Sequence, residues 1–352
     1  MSLPARTLEI RSSPHLTSGN SVDTIMWNVV LALLPVTVFA IFAFGLSALV
    51  TLLAAVGGCV GTEHLLSRKT AGGSTIGDGS AVITGLLFGL TLPPALPLWM
   101  VLVGSATCMA VGKWIFGGLG HNPFNPALVG RAILQAAFPV PMTAWLASFG
   151  DDRFVHLPAS VLTLPFSQPS AVDAMTSATP LSAWKFGGQI ADTADLFFGM
   201  TSGSAGETSA LLCLVGGGYL IARNMMNWRI PATIFATVAV FGAIVYSLDP
   251  AHYPTPQFLL LSGGLMIGAL FMATDMVGSP MTHRGAFAYS VLIGVLTVSI
   301  RLWGGMPEGM MYAILLGNAA TPHLDKLFQP RVFGTAARPP TEAKSPATPG
   351  VS

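Results

Sequence analysis

Charge is what this chain lacks, and that lack decides its fold class. Only 9% of its 352 residues are Asp, Glu, Lys or Arg, while 52% are hydrophobic and the mean hydropathy is +0.66. A soluble domain carries about 25% charged residues. A surface this poor in charge cannot face water on every side, so the chain reads as an all-α polytopic membrane protein. A helix needs about 20 apolar residues to cross a bilayer, fewer where a half-helix is buried in protein. On that measure about ten transmembrane helices are expected. Their segments are 24–44, 46–66, 81–92, 96–115 and 126–138, then 209–222, 230–248, 257–273, 286–302 and 310–320. No cleavable signal peptide is expected, because a polar stretch precedes a first apolar run already long enough to span.

These segments divide the chain into residues 1–23, a polar N-terminal part; 24–138, helices one to five; 139–207, a long polar excursion; 208–320, helices six to ten; and 321–352, a Pro-, Ala- and Thr-containing tail expected to be disordered at its end. The third and fifth segments are short and terminated by proline, which marks them as broken spans. Five spans on each side of the excursion would place two halves in inverted topology. Lys and Arg set the orientation. With the N-terminus in the cytoplasm, the excursion lies outside and carries only Arg153 and Lys185, with Arg301 near an outer helix end. Arg6, Arg11, Arg68, Lys69, Lys113, Arg223, Arg229, Arg284, Lys326, Arg331, Arg338 and Lys344 are then all inside.

Three inward-facing constellations can carry chemistry. The first is Asn122-Pro123-Phe124-Asn125-Pro126 at the entry to the fifth helix. Two carboxamides beside a helix N-terminus can read the polar edge of a flat heterocycle, with Phe124 on its face. Asn125 as N-cap with Pro126 behind it is equally a good helix start. Arg131, about one and a half turns further in, faces a polar interior or snorkels to the interface, and snorkelling is the simpler expectation. The second is Asp275 with Thr274, Ser279 and Thr282. It suits an ion path or a capped turn paired with Arg284. The third is Glu63, His64 and Asp78, expected to be a solvated cluster at the membrane surface. Cys59, Cys108 and Cys213 stand singly in apolar runs and read as buried structural thiols. Gly216-Gly217-Gly218 lies inside an apolar helix and reads as a packing feature. No Walker A, dinucleotide fingerprint or HExxH is present, so redox chemistry would need a bound cofactor or a partner.

Outside lies Asp173-Ala174-Met175-Thr176-Ser177-Ala178-Thr179-Pro180. It offers hydroxyls in an accessible, tightly turning backbone, which suits either a modification acceptor or an ordinary Ser/Thr-rich loop.

Taken together, Ser13-Pro14-His15, Ala32-Leu33-Leu34-Pro35, the stretch from Gly120 to Arg131, Asp173 to Leu181 and Thr274 to Thr282 resemble the NqrB/RnfD family over nearly the whole chain. Size and N-terminus look more like the Rnf branch than the longer quinone-reductase branch. The resemblance implies a flavinylation motif, Asp-x-x-(Ser/Thr)-(Gly/Ser)-Ala-Thr, matched by Asp173, Thr176, Ser177, Ala178 and Thr179. Thr179 is then the acceptor of FMN through a phosphoester made by a separate flavin transferase. Position 177 is Ser where Gly is common. The resemblance also implies non-covalent riboflavin against Asn122, Pro123, Phe124 and Asn125, and ion or flavin handling near Asp275.

The expected function is that of a flavin-carrying component of a complex that moves electrons between NADH and ferredoxin, coupled to Na+ or H+ translocation. It is a redox component and not a complete enzyme alone. Its expected partners are the A, B, C, E and G components of the Rnf complex, the flavin transferase and the lipid bilayer, with no nucleic acid. The expected location is the bacterial inner membrane, with both termini cytoplasmic and the flavin loop periplasmic. The competing reading is a transporter or channel without redox chemistry. The orientation is open to a direct check: a reporter inserted near Asp195 should be active in the periplasm, and activity confined to the cytoplasm would invert the topology.

Overall fold

The computed structural model describes residues 21–67, 76–165, 177–207 and 209–329, which hold fourteen helices and no β-strand. The tail end expected to be disordered lies outside the described residues. The first half contains α1 (Val22–Phe44), α2 (Leu46–Ser67), α3 (Ser80–Leu90), α4 (Leu98–Met109) and α5 (Pro126–Ala137). The excursion contributes α6 (Pro139–Met142), α7 (Pro180–Gly187) and α8 (Thr193–Phe198). The second half contains α9 (Ala210–Ala222), α10 (Arg229–Leu248), α11 (Pro256–Leu261), α12 (Leu265–Ile267), α13 (His283–Trp303) and α14 (Met310–Leu327). α4 runs on into a π turn, Ala110–Trp114, and α12 into another, Gly268–Met272.

α1, α2, α10 and α13 are long and apolar enough to cross a membrane, and α3, α4 with its π turn and α9 are shorter apolar helices. On α1, Leu31, Leu34, Val38 and Phe42 recur at helical spacing and are about half exposed. In water such a stripe would be an anomaly, but against lipid tails it is the outer surface. The chain is therefore a multi-pass membrane protein, as its composition required.

The packing order repeats. α2 packs on α3 and α4, and α4 on α5; correspondingly, α10 packs on α11 and α13, and α13 on α14. α1 against α9 and α5 against α14 join the two halves. The third and fifth segments are short, as expected. The eighth is broken as well: α11 and α12 are separated at Ser262–Gly264, where Gly263 takes the left-handed φ of +62°. The signal was present as Ser-Gly-Gly inside an apolar run. α14 also continues to Leu327, past the expected end at residue 320.

Cross-links sort the helix ends into two faces. On one, Arg153 O accepts from Leu46 N, Thr51 Oγ1 donates to Pro94 O, Gly206 N donates to Leu90 O, and Lys185 reaches the C-terminus of α13. On the other, Asn125 reaches Met272 O and Asp325 accepts from Met281 N, at the α13 entry. Thr179 belongs to the first face and the Asn122–Asn125 turn to the second. α13, with 21 residues, separates the faces by about 30 Å at 1.5 Å per residue.

Lipid gives apolar helices no reason to leave it, so association rests on close backbone approach and polar cross-links. α1 and α9 use both. A Cβ on Gly216 would fall 2.3 Å from Ala32 O, and Tyr219 donates to Asn28 Oδ1 at 2.6 Å. Gly217 lies against Leu270, while Gly218 has nothing within 4 Å. Gly216→Val should lower stability by about 1–3 kcal/mol through overpacking, and Gly218→Ala should leave it unchanged or slightly raised. Thermal denaturation of the two purified variants in detergent checks this.

Candidate functional site

Asn125 caps α5 by accepting from Ala127 N at 3.0 Å, and Pro126 occupies the first helical position. The cap therefore forms, but it does not use the whole carboxamide. Asn125 Nδ2 extends across the halves toward Met272 O, at 3.4 Å. Asn122 donates to Phe124 O at 3.2 Å, and its side chain also bonds Asp275. The first and second constellations are thus one site, built where the entry to α5 meets the exit of the π turn 268–272. Both asparagines are buried; Pro123 and Phe124 are partly exposed.

Asp275 also accepts from Val277 N at 3.3 Å, so the capped turn forms. Among the described residues no ion pair joins Asp275 to Arg284. Burial pushes the Asp275 carboxyl up to about 6, against the pull of the Val277 amide and the Asn122 side chain. Around it, Tyr289 Oη donates to Asn318 Oδ1 at 2.8 Å, and Thr321 donates to Gly278 O at 2.8 Å. Tyr289 and Asn318 carry no motif in the sequence. The site therefore combines carboxamides, a carboxylate and a phenol at the junction of the two halves, groups able to hold the polar edge of a planar ring or a small cation.

The third constellation is not a solvated cluster as a whole: His64 and Asp78 are partly exposed, but Glu63 is not. Glu63 is fully buried and pairs with the buried Lys113 at 2.6 Å. Lys113 Nζ also donates to Ser80 Oγ at 2.7 Å, and Ser80 donates from both N and Oγ to Asp78. The expectation failed because Lys113 was counted as a surface charge. The π turn 110–114 places it inward instead, between α2 and the start of α3. Arg131 does not snorkel either. It is buried in the protein, with Nη2 at 2.9 Å from Glu308 Oε2 and Nη1 at 3.5 Å from Glu207 Oε1. Neither glutamate stands out in the sequence: Glu207 ends the 139–207 excursion and Glu308 lies between the ninth and tenth segments. Their loops fold inward because a guanidinium held inside α5 needs partners.

Of the Asp173–Thr179 motif, Asp173 and Thr176 lie outside the described residues. Ser177 N donates to Trp145 O at 2.9 Å, and Ala178 is exposed. Thr179 is the N-cap of α7, accepting from Ser182 N at 3.2 Å and sharing a 2.6 Å hydrogen bond with Ser182 Oγ. It is 2% exposed, so the expected accessible hydroxyl is engaged and covered. The cause is local: Thr-Pro-x-Ser is a strong helix start, and α7 is held down by Leu181 packing with Leu196 and Phe258. Lys185 Nζ donates to Arg301 O and Met306 O at 2.9 and 3.0 Å, closing the C-terminus of α13. Partial burial pulls this ammonium below the ordinary lysine value.

The model of the NQR2, RnfD, RnfE family matches residues 9–334. The chain belongs to this family. The D subunit of a proton-translocating ferredoxin:NAD(+) oxidoreductase complex from Clostridium ljungdahlii is 43% identical over 336 residues, covering 93% of this chain and 96% of that one. The D subunit of a Na(+)-translocating ferredoxin:NAD(+) oxidoreductase complex from Acetobacterium woodii is 40% identical, covering 93% and 95%. The D subunit of an ion-translocating oxidoreductase complex from Stutzerimonas stutzeri is 37% identical, covering 91% and 94%. Two relatives of nearly equal identity are named for different ions, so likeness alone does not choose the ion.

The buried Glu63–Lys113 pair gives a direct stability test. Glu63→Ala or Lys113→Ala strands the partner's charge and should cost about 3–5 kcal/mol, whereas a Glu63→Met, Lys113→Met double variant should recover most of the loss. Chemical denaturation of the three variants in detergent measures both.

Proposed function

We propose that this chain is the flavin-carrying membrane component of an Rnf-type complex that passes electrons between NADH and ferredoxin and couples that flow to ion movement across the bacterial inner membrane. The observation that carries the complex assignment is full-length similarity to the D subunits of ferredoxin:NAD(+) oxidoreductase complexes. The expected partners are the A, B, C, E and G components, and a flavin transferase during maturation. The family match weighs against a transporter without redox chemistry.

The flavin reading rests on the Asp173–Thr179 motif and on where Thr179 sits. A phosphoester on its Oγ1 would lie at the N-terminus of α7, where the helix dipole favours an anion. FMN supplies exchange between one- and two-electron chemistry; the protein supplies position and electrostatics. The buried cap implies that loading happens before α7 docks, or requires its first turn to open. Riboflavin is assigned to the opposite face, at Asn122, Pro123, Phe124 and Asn125, where the buried carboxamides offer donors and Phe124 a partly exposed ring. Asp275 beside them is the candidate ion-path group. The orientation with both termini cytoplasmic follows from the Lys and Arg distribution.

Co-expression with a flavin transferase, followed by a denaturing gel, tests the acceptor. The wild-type band should fluoresce as flavin, Thr179→Ala should lose all fluorescence, and Thr179→Ser should retain it. A fluorescent alanine variant would move the attachment elsewhere, and a dark wild-type band would remove the covalent flavin.

A further inference from the structure

Glu207 lies between α8 and α9, and Glu308 between α13 and α14. The fold brings their side chains within hydrogen-bonding reach of each other, over the Gly263–Gly264 turn. A Cβ at Gly264 would fall 3.0 Å from Glu207 Oε1, and one at Gly263 would fall 3.5 Å from Glu308 Oε1, so the glycines make room for the pair. Arg131 binds Glu308 Oε2 and stands 3.5 Å from Glu207. Arg301 is directed elsewhere: its Nη1 and Nη2 donate to Leu259 O and Ser262 O, the orphan carbonyls at the break between α11 and α12. Glu207 Oε1 and Glu308 Oε1 are buried without a closely aligned donor; Ser204 lies within reach of Glu207, and Arg131 Nε and Arg301 Nε are buried donors not aligned on either carboxyl. The other titratable groups facing the pair are Cys213 from α9 and, beside Arg131, Tyr312 from α14.

Two ionised carboxylates are acceptors only and cannot bond each other. Buried side by side, they repel one another unless a donor lies at their mutual contact, and Arg131 bonds Glu308 Oε2 and reaches Glu207 only at 3.5 Å, which leaves that contact without one. Arg131 and Arg301 already bring two positive charges to the cluster, which opposes a dehydrated metal cation. A proton needs no coordination shell, and it supplies the donor missing at the contact between the two carboxyls. We propose that Glu207 and Glu308 hold one proton between them, as a carboxylic acid hydrogen-bonded to a carboxylate, and that this pair is a proton-binding group of the ion-coupling machinery. The step balances as simple uptake: one H+ forms one O–H bond on one glutamate, and its release restores the second carboxylate.

The location gives the pair its role. A narrow cavity with room for roughly one water runs from Arg131 and Glu308 past Gly268 to Met272, whose carbonyl meets Asn125 near the other face. On the outer side the Leu181 side chain of α7 presses on Gly263, beside Glu308. Leu181, two residues after Thr179, therefore stands close to the Glu308 side of the pair. The acid pair itself stands on side-chain geometry and is independent of the flavin assignment.

Infrared spectroscopy of the full-length chain in detergent tests it. The sequence contains five glutamates, Glu9, Glu63, Glu207, Glu308 and Glu342, so a 13C-glutamate label is selective. At neutral pH the wild type should show a carboxylic-acid C=O band that shifts with the label. E207Q and E308Q should each abolish it completely, because either single glutamate left beside Arg131 ionises. A wild type with no labelled acid band overturns the proposal without recourse to any variant, so misfolding cannot protect it. A band that survives in both variants also overturns it. So does loss of the band on titrating Na+ at constant ionic strength, which would assign the site to a metal cation.

Discussion

Inside a membrane protein, no polar group can borrow water, and this chain is arranged around that constraint. Each place where a helix breaks within the apolar region leaves carbonyls or amides that the protein itself must satisfy. The break between α11 and α12 is answered by Arg301, whose guanidinium takes Leu259 O and Ser262 O. The C-terminus of α13 is answered by Lys185, and the start of α5 by Asn125. Few charges are available, and those inside the protein tie together elements distant in sequence.

The same logic concentrates chemistry where the two halves meet. At one face the entry to α5 joins the π turn 268–272 and gathers Asn122, Asn125, Asp275, Tyr289 and Asn318. Toward the other, Arg131, Glu207 and Glu308 gather over the Gly263–Gly264 turn. A broken helix serves both, since its π turn ends at the first cluster and its glycine turn accommodates the second. Half-helices in membranes commonly build sites in this way.

Much of the fold was legible in the sequence. Most apolar segments matched helices to within a few residues, the broken eighth and the longer tenth excepted, and proline marked the short third and fifth. The Asn125 cap, the Gly216 packing contact and the burial of Cys59, Cys108 and Cys213 were also readable, because each depends on local spacing or on hydropathy. The errors share one cause. Glu63, Lys113 and Arg131 were weighed singly, as charges that seek water, and Glu207 and Glu308 drew no notice. Their burial depends on a partner supplied by another element, and sequence distance carries no information about that partner.

Thr179 shows the same division. The Asp173–Thr179 motif and the Thr-Pro-x-Ser helix start are written in the residues themselves. That the hydroxyl is covered, and that its helix reaches the Gly263 turn, depends on Leu181 packing with Leu196 and Phe258 and pressing on Gly263. Hydropathy, capping and turn chemistry act over a few residues, so membrane residence, the course of the helices and the short motifs were all set by the order of amino acids alone. Which buried charges meet was settled by the folded arrangement, because a low-dielectric interior rewards partners and not positions in the chain.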